Sequence, residues 1–152
     1  MLVVQSIGTQ IAAHAAALAP ELITMLVLQG PTVDPTYRTA PRLVSRWLLD
    51  ARHEPPRLVR TQLPEWRQVG ARPLLQLLRA CLDDDLEATL RDLDAGVPVH
   101  VARGEHDALC RLQWASALSS QRVLSLRGGH AASAARPLDF AQLLTRLTEE
   151  TR

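Results

Sequence analysis

The first ten residues, MLVVQSIGTQ, constrain the fold more tightly than any other stretch. A short apolar run, Leu2 to Val4, stops at Gln5, Ser6, Ile7 and Gly8, and an alanine-rich pattern of helical spacing begins at once over Ile11–Ala19. The order is strand, tight turn with a serine at its tip, helix. A serine placed this way stands clear of its own backbone, and the N-terminus of the helix behind it aims free N–H groups at any negative charge that develops nearby. The bland alternative is a serine that simply caps the helix.

The helix should stop near Pro20. Next comes Leu22–Gln29, LITMLVLQ, continuously apolar and bounded by Gly30 and Pro31, as suits a strand covered on both faces in a parallel sheet. From Thr32 the pattern changes. Pro35, Pro41, Pro55, Pro56, Pro64 and Pro73 punctuate short helical runs, expected over Arg42–Asp50, Arg57–Leu63, Pro73–Cys81 and Asp85–Leu93, with Asp83 to Asp85 available as N-caps. Trp47, Trp66 and Tyr37 are read as packing these helices together, against the alternative that they line an apolar pocket beneath a lid.

Strand character returns at Val97–Ala102 and runs into Arg103, Gly104, Glu105, His106 and Asp107. A helix is expected around Gln113–Ser119, then a strand over Arg122–Leu126 that ends in Arg127, Gly128, Gly129 and His130. The chain closes on Pro137–Glu149, where Leu138, Phe140, Ala141, Leu144 and Leu147 recur at helical spacing. The fold class is α/β. His14 and His100 are read as packing or surface histidines.

Composition narrows the function classes. A chain of 152 residues that is 47% hydrophobic can bury one core. Its net charge of +1, with both signs mixed along the chain, gives no reason to expect nucleic acid or an anionic membrane as a partner. All 17 basic residues are arginine and asparagine is absent, which fits a GC-rich genome better than an arginine-dependent function. Cys81 and Cys110 have no spacing suited to a metal site or a disulfide framework, so they are expected to be free thiols in a reducing compartment. No apolar run approaches the roughly 20 residues needed to span a bilayer, and no basic-then-apolar leader opens the chain. The expectation is a cytoplasmic protein without cofactor or metal. His106 beside Asp107 lacks a third ligand.

Three residues fall in a meaningful order: Ser6 after the first strand, Asp107 in a Gly-Glu-His-Asp turn after the third, and His130 in a Gly-Gly-His turn after the fourth. Each lies just past the carboxyl end of an expected parallel strand, where open α/β sheets gather their sites. The stretch Val4-Gln5-Ser6-Ile7-Gly8 resembles the nucleophile elbow of the α/β-hydrolase fold, G-x-S-x-G, with valine at the first glycine; a bulky residue there crowds the approach of strand and helix. VPVHVARGEHDALC is similar to that family's acid-bearing strand and turn. RVLSLRGGHAASAARP resembles its histidine loop, and the inserted helices match the position of its cap. The chain thus resembles the family from the elbow onward, which divides it into residues 1–33 (elbow strand, helix and next strand), 34–95 (helical cap insertion) and 96–152 (acid and histidine loops).

The resemblance implies an incomplete α/β-hydrolase fold of about four parallel strands, lacking the strands that precede the elbow. It implies Ser6 as nucleophile, Asp107 as acid, His130 as base and the Ile7 N–H as one oxyanion donor, acting on a small-molecule ester or related acyl compound. Asp34, after the second strand, is a rival for the acid role because some members place the acid there, although a turn start before Pro35 is the simpler reading. The family's loop that gives the second oxyanion donor has no counterpart here. The other reading is therefore a catalytically silent fragment whose open sheet edge self-associates or pairs with a complementing chain.

Overall fold

The computed structural model describes residues 1–93 and 96–150. Four strands, β1 (Leu2–Gln5), β2 (Leu26–Gln29), β3 (Val99–Gly104) and β4 (Val123–Leu126), form one sheet in the order β1-β2-β3-β4, and every pairing is parallel. Helix α1 (Gly8–Leu18) follows β1 directly. Four helices separate β2 from β3: α2 (Ala40–Asp50), α3 (Pro56–Val69), α4 (Ala71–Asp83) and α5 (Leu86–Arg91). Helix α6 (Leu112–Leu118) lies between β3 and β4, and α7 (Ala132–Ala135) and α8 (Pro137–Glu150) follow β4.

Residue alternation along the strands explains the two cores. Leu26, Leu28, Val99 and Val101 point to one face and pack against Ala12, Ala13 and Ala16 of α1, Leu86 of α5, and Trp114, Ala115 and Leu118 of α6. Val27 and Ala102 point to the other face and meet Leu147 of α8, flanked by Phe140, Leu143 and Leu144. All four residues of β2 are therefore buried, as a strand sandwiched between helix layers requires. The alanines of α1 let it lie close to the sheet. Crowding by Val4 does not arise, since even a Cβ built on Gly8 would stay 3.7 Å from the Val4 Cβ.

Several boundaries differ from expectation. The second strand begins at Leu26 rather than Leu22, because Pro20 opens a tight turn over Pro20–Leu22 and Leu22 is left exposed. The third begins two residues later than expected and continues to Gly104. Pro98 cannot donate to a ladder, and its carbonyl instead accepts the Leu26 N–H at 2.9 Å. Pro64 does not end a helix but sits inside α3. Leu58, Gln62 and Trp66, four residues apart, face one cavity, so that face runs unbroken past Pro64, which cannot donate to the helix ladder. Helix α5 is shorter than expected and is capped by the Asp85 carboxylate, which accepts the Ala88 N–H. The expected end of the insertion at Ala95 lies outside the described residues.

Gly104 is where β3 meets the loop after β4. Any Cβ at this position would run into the Gly129 carbonyl. Gly104→Ala should therefore destabilise the fold by about 1–3 kcal/mol, read as a lower urea midpoint at unchanged m-value.

Candidate active site

Ser6 sits at the turn between β1 and α1 with φ 55°, in the left-handed region that non-glycine residues seldom occupy. The surrounding bonds hold it there. Its N–H donates to the Gln29 carbonyl at 2.9 Å, and its own carbonyl accepts from Thr9 N–H at 3.0 Å and Thr9 Oγ1 at 2.6 Å. The result is a hydroxyl presented above the carboxyl end of the sheet. The next N–H, that of Ile7, has no hydrogen bond to any described residue and lies at the start of α1 beside the cavity.

Asp107 and His130 converge on that hydroxyl from the loops after β3 and β4. Ser6 Oγ lies 2.9 Å from His130 Nε2, and His130 Nδ1 lies 3.1 Å from Asp107 Oδ2. The other Asp107 oxygen accepts the N–H groups of Leu109 and Cys110, each at 2.9 Å, which orients the carboxylate. Gly30, just past β2, keeps the space clear. It has φ +57°, and a Cβ there would come within 2.9 Å of the His130 ring and 3.1 Å of Asp107 Oδ2.

His130 is gripped at its backbone as well. Its carbonyl accepts the Gln29 side-chain amide at 2.6 Å, while its N–H donates to Asp50 at 2.9 Å. Burial works to lower the His130 pKa. The hydrogen bond and charge of Asp107, aided by the charges of Asp50 and Glu54, outweigh it, and the imidazole titrates above the ordinary histidine value.

A cavity of about 500 Å³ opens beside Ser6 and His130. Its walls are Leu43, Val44 and Trp47 of α2, Leu58 and Trp66 of α3, and Leu74, Leu77 and Leu78 of α4, with Ile7 and Leu109 toward the sheet. Trp47 and Trp66 meet edge to face at 5.3 Å, so they pack the helices together and line the cavity at once. Tyr37 does neither; its ring lies under the guanidinium groups of Arg46 and Arg111. Cys81 also faces the cavity, but burial and the charge of Asp84 push its thiol up to about 11, leaving it a weak nucleophile near neutral pH.

The remaining candidates fall elsewhere. Asp34 does not approach His130. It caps the turn over Pro35–Tyr37 by accepting the Thr36 N–H, and Arg111 Nε donates to it at 2.7 Å. Burial would raise its pKa, yet the bonds from Arg111 and Thr36 and the arginine's charge hold it below the usual carboxylate range. His14 is exposed and pairs with Asp84 at 2.6 Å, whereas His100 is buried under the α8 face, with its pKa lowered chiefly by that burial. His106 stacks on His53. Cys81 and Cys110 are free and buried. Among the described residues no three His, Cys, Asp or Glu side chains come together as a metal site, and no helix is long and apolar enough to cross a membrane. Three site residues escaped the sequence reading: Gln29, Asp50 and Glu54. Only Asp50 carried a signal, since a carboxylate in the last turn of a helix opposes the helix dipole.

No family model matches the sequence, and neither does any curated protein. Among solved structures, the chain is similar to a thermophilic esterase at 19% identity and a TM-score of 0.70, over 98% of this chain and 65% of that one. It is similar to a serine hydrolase involved in carbazole degradation at 20% identity and a TM-score of 0.61, over 97% of this chain and 62% of that one. An α/β-hydrolase enzyme from a sediment metagenome of the Mar Chica lagoon, Morocco, matches at 20% identity and a TM-score of 0.63, over 98% of this chain and 60% of that one. The fold is therefore that of the α/β-hydrolases, and the chain carries the part of it that extends over about 60–65% of these structures. At this level of likeness the fold is one that hosts esterases and hydrolases.

The His130–Asp107 pair has a measurable signature. A histidine whose folded pKa is raised adds stability that is fully present below the ordinary value of about 6.5 and is lost as pH rises through the elevated one. Urea unfolding should thus show that contribution fading across this window. In Asp107→Asn the slope should flatten and the His130 imidazole resonances should titrate at lower pH.

Proposed function

We propose that the chain carries the reacting groups of a serine hydrolase that acts on small-molecule esters or related acyl compounds with an apolar acyl part. The observation that carries this reading is the continuous hydrogen-bonded line from Ser6 Oγ through the His130 ring to Asp107, set beside an apolar cavity. Serine is a weak nucleophile near neutral pH. His130 Nε2 takes the Ser6 proton as Oγ attacks the acyl carbon, and it returns the proton to the leaving group when the tetrahedral intermediate collapses. Asp107 keeps Nδ1 protonated, so that Nε2 faces the serine as an acceptor, and it stabilises the imidazolium that forms. Water activated by the same histidine then releases the acyl group.

The Ile7 N–H is the oxyanion donor in this scheme, helped by the N-terminal dipole of α1. Removal of one such donor typically slows a hydrolase by about 10²- to 10³-fold, so a site served by Ile7 alone should turn over slowly. Residues 34–95 act as the cap: α2, α3 and α4 supply the apolar wall on which an acyl chain would lie. The location expected from composition remains the cytoplasm. A second reading is a silent half that acts by pairing β1 with another chain. Its support is the position of β1 at the edge of the sheet, half-buried along its whole length.

Labelling with a fluorophosphonate probe separates the two. The parent protein should label, and Ser6→Ala and His130→Ala should both abolish labelling, while Asp107→Asn slows it by about 10²- to 10⁴-fold. Labelling that survives Ser6→Ala would overturn the assignment, and a folded parent that does not label would favour the silent reading. For an active chain, Trp66→Ala should raise KM for esters of long apolar acids by about five- to tenfold and leave kcat nearly constant, because wall contacts bind ground and transition states alike.

A further inference from the structure

Two carboxyl groups from the helical insertion reach into the loops that bear Asp107 and His130. Asp50, the last residue of α2, accepts the Ala108 N–H at 3.0 Å and the His130 N–H at 3.1 Å on the same oxygen, and its other oxygen lies 2.9 Å from the His130 nitrogen. Glu54, four residues on, accepts the Ala131 N–H at 2.6 Å. The three amides are that of the residue after the acid, that of the base itself and that of the residue after the base. The residue between them and the insertion is Gly129, where a Cβ would lie 2.8 Å from Glu54 Oε1 and 3.1 Å from Asp50 Oδ2; glycine is what lets the carboxyl groups come so close.

Physical cost makes this arrangement hard to dismiss as incidental packing. Asp50 is 2% exposed and sits at the negative end of a helix, so both burial and the dipole disfavour its charge. Among the described residues no arginine forms an ion pair with it; its oxygens meet the amide donors of the two loops and the Glu54 carboxyl.

We propose that Asp50, supported by Glu54, is a positioning residue that holds the Asp107 and His130 loops at the spacing the hydrogen-bonded line needs, making the insertion a structural part of the reacting site as well as the wall of its cavity. This rests on the hydrolase reading for its effect on rate, but the positioning itself has an independent readout. The charge of Asp50 also reaches His130, alongside Asp107 and Glu54; His53 and His106 flank the His130 loop at Gly129 and Gly128, Arg57 donates to the Ala134 and Ala135 carbonyls beyond it, and Arg46 and Arg103 donate to carbonyls of the Asp107 loop.

The test compares Asp50→Ala and Asp50→Asn with the parent by amide hydrogen exchange, imidazole titration and fluorophosphonate labelling. Asp50→Ala should speed exchange at the Ala108 and His130 amides by about tenfold or more, while amides of β2 and β3 stay protected. It should slow labelling by about 10²-fold, the usual effect of a misplacement near 1 Å. Asp50→Asn can accept the Ala108 and His130 N–H groups only on the oxygen they already share, and its NH2 then faces the His130 nitrogen across 2.9 Å. It should keep the Ala108 amide protected, loosen the His130 amide in part and slow labelling less than Asp50→Ala does, but bring the His130 titration to lower pH, a shift that loss of packing alone would not give. Asp50→Ala with unchanged protection at both amides would overturn the proposal. Should that variant not fold, the parent decides: Ala108 and His130 amides protected like those of β3 support the proposal, and exchange at free-peptide rates refutes it. A parent that shows this protection but no labelling would count against the hydrolase reading and leave the positioning intact.

Discussion

Parallel register is the constraint on which everything at this site depends. Gln5 lies opposite Gln29, Gln29 opposite Ala102, and Gly104 opposite Leu126, so the four strands end nearly level. The residues that follow them meet above a single edge. Hydrogen bonds tie that edge together across the strands: Ser6 N–H to Gln29, Gly30 N–H to Ala102, Glu105 N–H to Leu126. A slip of one residue in any pair would reverse the inward and outward faces of a strand, and with β2 buried on both sides no such slip is affordable.

The same rigidity pre-organises the chemistry. Ser6 is kept in an unfavourable backbone conformation, at a cost of about 1–3 kcal/mol for a position of this kind, and the bonds around it make up that cost during folding rather than during reaction. His130 has almost no freedom left, with its ring, N–H and carbonyl each engaged by a different element. Electrostatics follow from this crowding. Three carboxyl groups surround one buried imidazole and favour its charged form.

Much of this was legible in the sequence because the informative signals were local. An apolar run followed by a serine turn and an alanine helix reports its own structure, and the Gly-Glu-His-Asp and Gly-Gly-His turns mark strand ends without reference to anything distant. Ser6, Asp107 and His130 could be grouped on that basis, and the three side chains lie within hydrogen-bonding reach. The misreadings were tertiary in origin. Pro64 lies inside α3, with cavity-facing residues of one face on either side of it, and Leu22 falls outside the sheet because the neighbouring strands do not reach it. Asp50 showed only as a carboxylate set against the dipole of its helix, which says nothing of what it binds. Its partners lie 58 and 80 residues along the chain, and nothing in the periodicity of α2 announces them.

The tryptophans divide between two jobs, and this has an optical consequence. Trp114 lies in the sheet core, 5% exposed, while Trp47 and Trp66 form the edge-to-face pair on the cavity wall. Intrinsic emission from this chain is therefore a sum of two sources in unlike surroundings. One responds to whether the sheet is packed, the other to what fills the space above Ser6, and the protein carries its own reporters for folding and for occupancy.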